Sequence, residues 1–155
     1  MGCDIHAYID FERGQHFFGE IEIGRNYKLF SLMADVRTSE GELTLFSPRG
    51  LPEDVNHCIS RKDRLFIIPD NEQHEHDGNF VNLEEAEQWV KDGISKRIDG
   101  ENTITHPDHH SHSWLNSQEV GLVLCHLPEY HPIIATIYAT LQALPESRLI
   151  FWFDN

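Results

Sequence analysis

Four of the chain's eleven histidines fall within His106-Pro107-Asp108-His109-His110-Ser111-His112. Neutral imidazole beside carboxylate is a ligand set for a divalent transition metal such as Zn, Mn, Fe or Ni, and it also moves protons near neutral pH. His109, His110 and His112 are therefore candidate metal ligands. Adjacent side chains on an extended strand diverge, so these three need a tight turn and a remote residue to converge on one ion. The other end of the chain offers one. In Cys3-Asp4-Ile5-His6, strand alternation puts Asp4 and His6 on one face about 7 Å apart, with Cys3 on the other. A metal held by Asp4, His6 and the histidine segment would lower the pKa of a bound water. Asp4, His6, Arg49 and Asp54 are then the candidate catalytic residues, with Arg49 steadying an anionic substrate. The plainer alternatives stay open: a hydrogen-bonded sheet histidine at residue 6 and a solvated, histidine-rich loop.

Other stretches carry weaker signals. Arg49-Gly50-Leu51-Pro52-Glu53-Asp54 is a turn-rich loop in which glycine lets the backbone approach a ligand and Arg49 offers a planar fork to phosphate or carboxylate. Its competitor is an Arg–Asp surface pair. Trp114 is either a pocket wall or an anchor tying its loop to the core, and in Arg25-Asn26-Tyr27 the asparagine doubles as a helix cap. Tyr27, Arg49 and Trp114 form the candidate ligand-binding set. His74-Glu75-His76-Asp77-Gly78-Asn79 also spells a metal loop, but a long hydrophilic setting favours solvation. Ser113 beside His112 lacks the GxSxG elbow of a serine hydrolase.

The elements that must position these residues follow from periodicity. Cys3, Ile5, Ala7, Ile9 and Phe11 alternate with polar residues, predicting a half-buried strand. Leu149, Phe151 and Phe153 alternate with Arg148, Ile150, Trp152 and Asp154, predicting a second strand and placing both chain ends in one sheet. Further strands are expected at 42–46 and 64–68. Helical spacing predicts helices over 27–36 capped by Asn26, over 83–91 capped by Asn82, and from Pro132 to Leu144. Asn116-Ser117-Gln118-Glu119 resembles a capping box opening a short helix toward Leu124, with the histidine segment in the loop before it. Elements mix without regular βαβ alternation. The expected fold is α+β, a single domain over 1–155, with a mainly antiparallel sheet and three or four helices.

Composition limits the partners. Twelve Lys+Arg against 26 Asp+Glu give a net charge of −14 over 155 residues, a field that repels nucleic-acid phosphate and anionic membranes and suits a cation. A local pocket formed by Arg25, Arg37 or Arg49 can still accept a small anion. Cys3, Cys58 and Cys125 are odd in number and widely spaced, which argues against a disulfide scaffold and for a reducing cytoplasm. His6 stands where the myristoylation pattern requires Ser or Thr, and no apolar run approaches the roughly 20 residues of a bilayer span.

Met1-Gly2-Cys3-Asp4-Ile5-His6, with Arg25-Asn26-Tyr27, Arg49-Gly50-Leu51-Pro52, His112-Ser113-Trp114-Leu115 and Phe151-Trp152-Phe153-Asp154-Asn155, resembles a family of small uncharacterised phage and bacterial proteins. The resemblance spans nearly the whole chain and implies a phage or prophage-related context, without catalytic residues. The functional expectation is a metal-dependent hydrolase of a small phosphorylated or nucleotide-like substrate. The alternatives are a non-catalytic protein that binds or sequesters such a ligand, and a structural or partner-binding protein.

Overall fold

The computed structural model describes residues 2–72, 79–98, 100 and 102–155. The chain divides into two compact units, one formed by Met1–Ile59 with His110–Asn155 and the other by Ser60–His109. In chain order the elements are β1 (Asp4–Phe11), β2 (His16–Phe17), α1 (Tyr27–Ala34), α2 (His57–Lys62), β3 (Arg64–Ile68), β4 (Phe80–Asn82), α3 (Leu83–Lys91), β5 (Arg97–Ile98), β6 (Thr103–Thr105), β7 (His110–Leu115), α4 (Ser117–His126), α5 (Pro132–Ala143) and β8 (Arg148–Asp154). The fold is α+β, as the mixed periodicities predict. No helix among the described residues is long and apolar enough to cross a membrane.

The first unit is built on an antiparallel sheet ordered β2-β1-β8-β7. The two terminal strands pair as expected, with Asp4 opposite Asp154, His6 opposite Trp152 and Asp10 opposite Arg148. One face buries Ile5, Ala7, Ile9, Leu149, Phe151 and Phe153 with residues of α1, α4 and α5, among them Phe30, Val123, Ile134 and Leu141. The opposite face carries a smaller cluster of Tyr8, Ile150, Trp152 and Ile59, packed by Leu51, Val55 and Trp114. A strand with apolar residues on both faces is a central strand, and β8 occupies that place.

The helices start where short polar side chains satisfy their first amides. Asn26 accepts from Leu29 N at 3.1 Å, Asn116 from Glu119 N at 3.0 Å, and His131 Nδ1 from Ile134 N at 3.3 Å ahead of Pro132. The capping box is half realised: Glu119 directs its carboxylate to Arg49. The resulting α4 runs on to His126, past the expected end. Helix α1 stops two residues short of its expected end because Asp35 turns left-handed at φ 55°. The predicted strand at 42–46 does not form. Leu45 N and Phe46 N both donate to Leu32 O at 3.2 Å, and Ser31 Oγ reaches Leu43 O, so this segment folds against α1.

The second unit has a sheet ordered β4-β3-β6-β5, with β3–β4 parallel and the other pairs antiparallel. Leu65, Ile67, Val81, Ala86 and Ile104 form its core. Asn82 makes no side-chain cap for α3; Asp70 Oδ1 accepts from Glu84 N at 3.0 Å instead. Most of the metal-like spelling at 74–79 lies outside the described residues.

Candidate functional site

Directly opposed residues of an antiparallel pair share a face. The β1–β8 register therefore gathers Asp4, His6, Tyr8 and Asp10 with Asp154, Trp152, Ile150 and Arg148. The chain after β2 follows the free side of β1, with Phe18 N donating to Ile9 O and Ile21 N to Ala7 O, both at 2.8 Å. That path delivers Glu20 to His6. The imidazole is held between two carboxylates: Nδ1 lies 2.7 Å from Glu20 Oε1 and Nε2 lies 2.8 Å from Asp154 Oδ2. Trp152 packs beside it, its ring stacked against His6 at 6.0 Å, Tyr8 at 5.3 Å and His112 at 5.8 Å. Burial opposes a charge on His6, but the bonds to Asp154 and Glu20 outweigh it and raise the pKa above the ordinary histidine value.

This arrangement has metal-site chemistry. A carboxylate on one ring nitrogen fixes the tautomer and leaves the other nitrogen to ligate. Glu20 does this for Nδ1, so Nε2 and Asp154 present ligand atoms that can hold an ion. Two such ligands about 2.1 Å from a tetrahedral ion lie about 3.4 Å apart, so Asp154 has to retreat by a few tenths of an ångström.

The histidine segment is a strand rather than a loop from residue 110 onward. A register shift lies between His110 and Ser113, and Ser111 takes φ 54°. This supplies the turn that imidazoles on a regular strand lack. It sends His110 against Phe153 (6.1 Å) on the helix-covered face, while His112 stacks on Trp152 on the His6 face. Within the second unit, His109 Nδ1 lies 2.9 Å from Asp63 Oδ1, with side chains 8% and 12% exposed, and the His106 ring stacks on His109 at 3.9 Å. His109 thus has its Nδ1 held by a carboxylate as His6 does.

The remaining predicted residues are engaged elsewhere. Asp4 forms a two-bond pair with Arg25, at 2.5 and 2.9 Å, whose hydrogen bonds hold its carboxyl below the ordinary range. Asp54 bonds Arg148, which lowers its pKa in the same way. The same Arg148 donates twice to the fully buried Asp10 at 2.9 Å. Arg49 is paired with Glu119 and lies over the rings of Trp114 (4.5 Å) and Phe46 (5.5 Å). Trp114 is accordingly both an anchor on the second core and a platform for Arg49. Tyr27 lies under Arg37, 5.9 Å from its guanidinium, rather than with Arg49 and Trp114.

Sequence reasoning passed over Glu20, Asp63 and Asp154 as partners of histidine. Only Asp154 had a signal, since it shares the alternation of Trp152 in a strand expected to pair with the amino terminus. No protein-family model matches this chain, and no curated protein or solved structure matches it.

Proposed function

We propose that this protein is a metal-dependent hydrolase of a small phosphorylated or nucleotide-like substrate, with a divalent transition metal held by His6 Nε2 and Asp154. The observation that carries this reading is the placement of His6, with Glu20 on Nδ1 and a carboxylate facing Nε2. One imidazole of residues 110–112 completes the set, and His112 is the first choice because its ring stacks on Trp152 on the His6 face. A divalent ion held there would supply Lewis acidity and an acidified water for hydrolysis of a phosphate ester, with His6 and Asp154 as its protein ligands. Arg49 is engaged by Glu119, so an anionic substrate would have to be held by the metal rather than by that side chain. The field of a chain with net charge −14 concentrates the cation. A reducing cytoplasm, with the three cysteines free, and a phage or prophage-related setting belong to the same proposal.

The test is hydrolysis of p-nitrophenyl phosphate and bis(p-nitrophenyl) phosphate by untagged protein after chelation and return of Zn, Mn, Fe(II) or Ni. Activity should return with one of these metals, fall about 100-fold or more in His6→Ala and Asp154→Ala, and fall about 10- to 100-fold in Glu20→Gln. A rate indifferent to chelator overturns the proposal. A second reading, a non-catalytic ligand-binding or partner-binding protein, is favoured by the 2.8 Å separation of Nε2 and Asp154, a hydrogen-bond length. Under that reading, a nucleotide that raises the melting temperature is recovered intact.

A further inference from the structure

The segment that runs beside β1 and brings Glu20 to His6 goes on to bring Arg25 to Asp4. Asp4 lies directly opposite Asp154 in the β1–β8 register, so Arg25 borders the face that carries His6. Arg25 donates from Nε and Nη2 to the two Asp4 oxygens at 2.5 and 2.9 Å. Those bonds occupy one edge of the guanidinium. Among the described residues Nη1 makes no hydrogen bond, and the side chain is 56% exposed. Gly2 sets how the plane lies. A Cβ at Gly2 would stand 2.4 Å from Cζ, 2.4 Å from Nη1 and 2.5 Å from Nη2. Near-equal distances to all three put that point over the face of the guanidinium and not at its rim. The face therefore packs on the Gly2 backbone, and the Nη1 edge stays open to solvent. The hydrogen bonds to Asp4 and, with smaller effect, the charge of Asp154 raise the Arg25 pKa above the ordinary arginine value.

We propose that Arg25 is the side chain that receives the substrate's anionic oxygens at the His6–Asp154 centre, and that the substrate is a phosphate monoester. The inference rests on the metal reading of His6 and Asp154. Arg49 is paired with Glu119, whereas Arg25 keeps an open donor edge beside that face. Asp4, Glu20 and Asp154 make the face acidic, so a phosphate enters only where cationic groups offset them. Above about pH 7 a monoester carries close to two negative charges and a diester one. An ion on His6 and Asp154 would be the first cationic group to meet a monoester; the Nη1 edge, with its two N–H donors, is the second. A diester gains little from the second. Asp4 is then a positioning residue, fixing the guanidinium through Nε and Nη2 instead of ligating the ion.

The experiment is calorimetric titration of the full chain, loaded with whichever of Zn, Mn, Fe(II) and Ni it retains, with metal content measured on every protein. The probes, at about pH 8, are phenylphosphonate, a dianion there, and its monomethyl ester, a monoanion. Phenylphosphonate should bind the more tightly. Arg25→Gln should weaken phenylphosphonate about tenfold or more and the monomethyl ester about threefold or less, with metal content unchanged. Gly2→Ala displaces the guanidinium without altering any charge, and should also weaken phenylphosphonate. Both variants should fold, because an exposed ion pair contributes little stability. A metal-free wild type overturns the centre and this inference together. Metal retained without phenylphosphonate binding up to about 10 mM, affinity unmoved by Arg25→Gln or Gly2→Ala, or an equal loss for both probes overturns the inference alone.

Discussion

His6 is the residue on which the proposed chemistry turns, and its two carboxylate partners give it a measurable signature without metal. Folding raises its pKa above the unfolded value of about 6.5, so its charged form stabilises the fold fully below that pH. The contribution is lost as pH rises through the folded value. In excess chelator, the excess of the wild-type urea midpoint over that of His6→Gln should be largest near about pH 5 and shrink toward about pH 8. A pH-independent difference means that the ring acts by packing alone. A second residue-scale test concerns Asp10, fully buried against Arg148 and also accepting Asn56 N at 3.1 Å. Asp10→Asn removes the buried carboxylate from a guanidinium that keeps Asp54 as its partner, and should cost about 1–3 kcal/mol in urea unfolding. A loss under about 1 kcal/mol would mean that solvent screens the pair.

At the scale of elements, the outcome depended on where local pattern and tertiary contacts agree. Alternation from Cys3 to Phe11 and from Leu149 to Phe153 marked β1 and β8, because their core faces are uniformly apolar. Strand β7 was hidden: His110-Ser111-His112 has no apolar alternation, and its bulge breaks the period. Gly50 N donates to His112 O at 2.8 Å and Arg49 N to Ser113 Oγ at 3.1 Å, contacts that close the outer edge of β7 and that no local pattern encodes. The expected strand at 42–46 misled for the converse reason, since its alternating leucines meet α1 rather than a sheet. Glu20 was illegible because it lies outside any regular element and reaches His6 only through hydrogen bonding beside β1. Caps were legible where a single local bond makes them. Asn116→Ala should cost about 1 kcal/mol in thermal or urea unfolding, against a few tenths for Asn82→Ala, whose side chain caps nothing. Equal losses would contradict the assignment of the caps.

For the molecule as a whole, the two units differ in how much apolar surface each buries. The first carries two clusters, one on each face of β8; the second rests on Leu65, Ile67, Val81, Ala86 and Ile104. Opening free energy follows buried apolar contact. Native-state hydrogen exchange should therefore open amides of β3 and β6 at lower free energy than those of β1 and β8, and a uniform profile would show one cooperative block. A net charge of −14 gives the chain a field that attracts cations, as the proposed metal centre requires. Metal content is thus the deciding quantity. Elemental analysis of untagged protein, equilibrated with substoichiometric Zn, Mn, Fe(II) and Ni and then desalted, should find close to one ion per wild-type chain. It should find almost none in His6→Ala or Asp154→Ala, both folded by circular dichroism. A metal-free wild type, or the same metal content in all three proteins, would contradict the metal centre at His6.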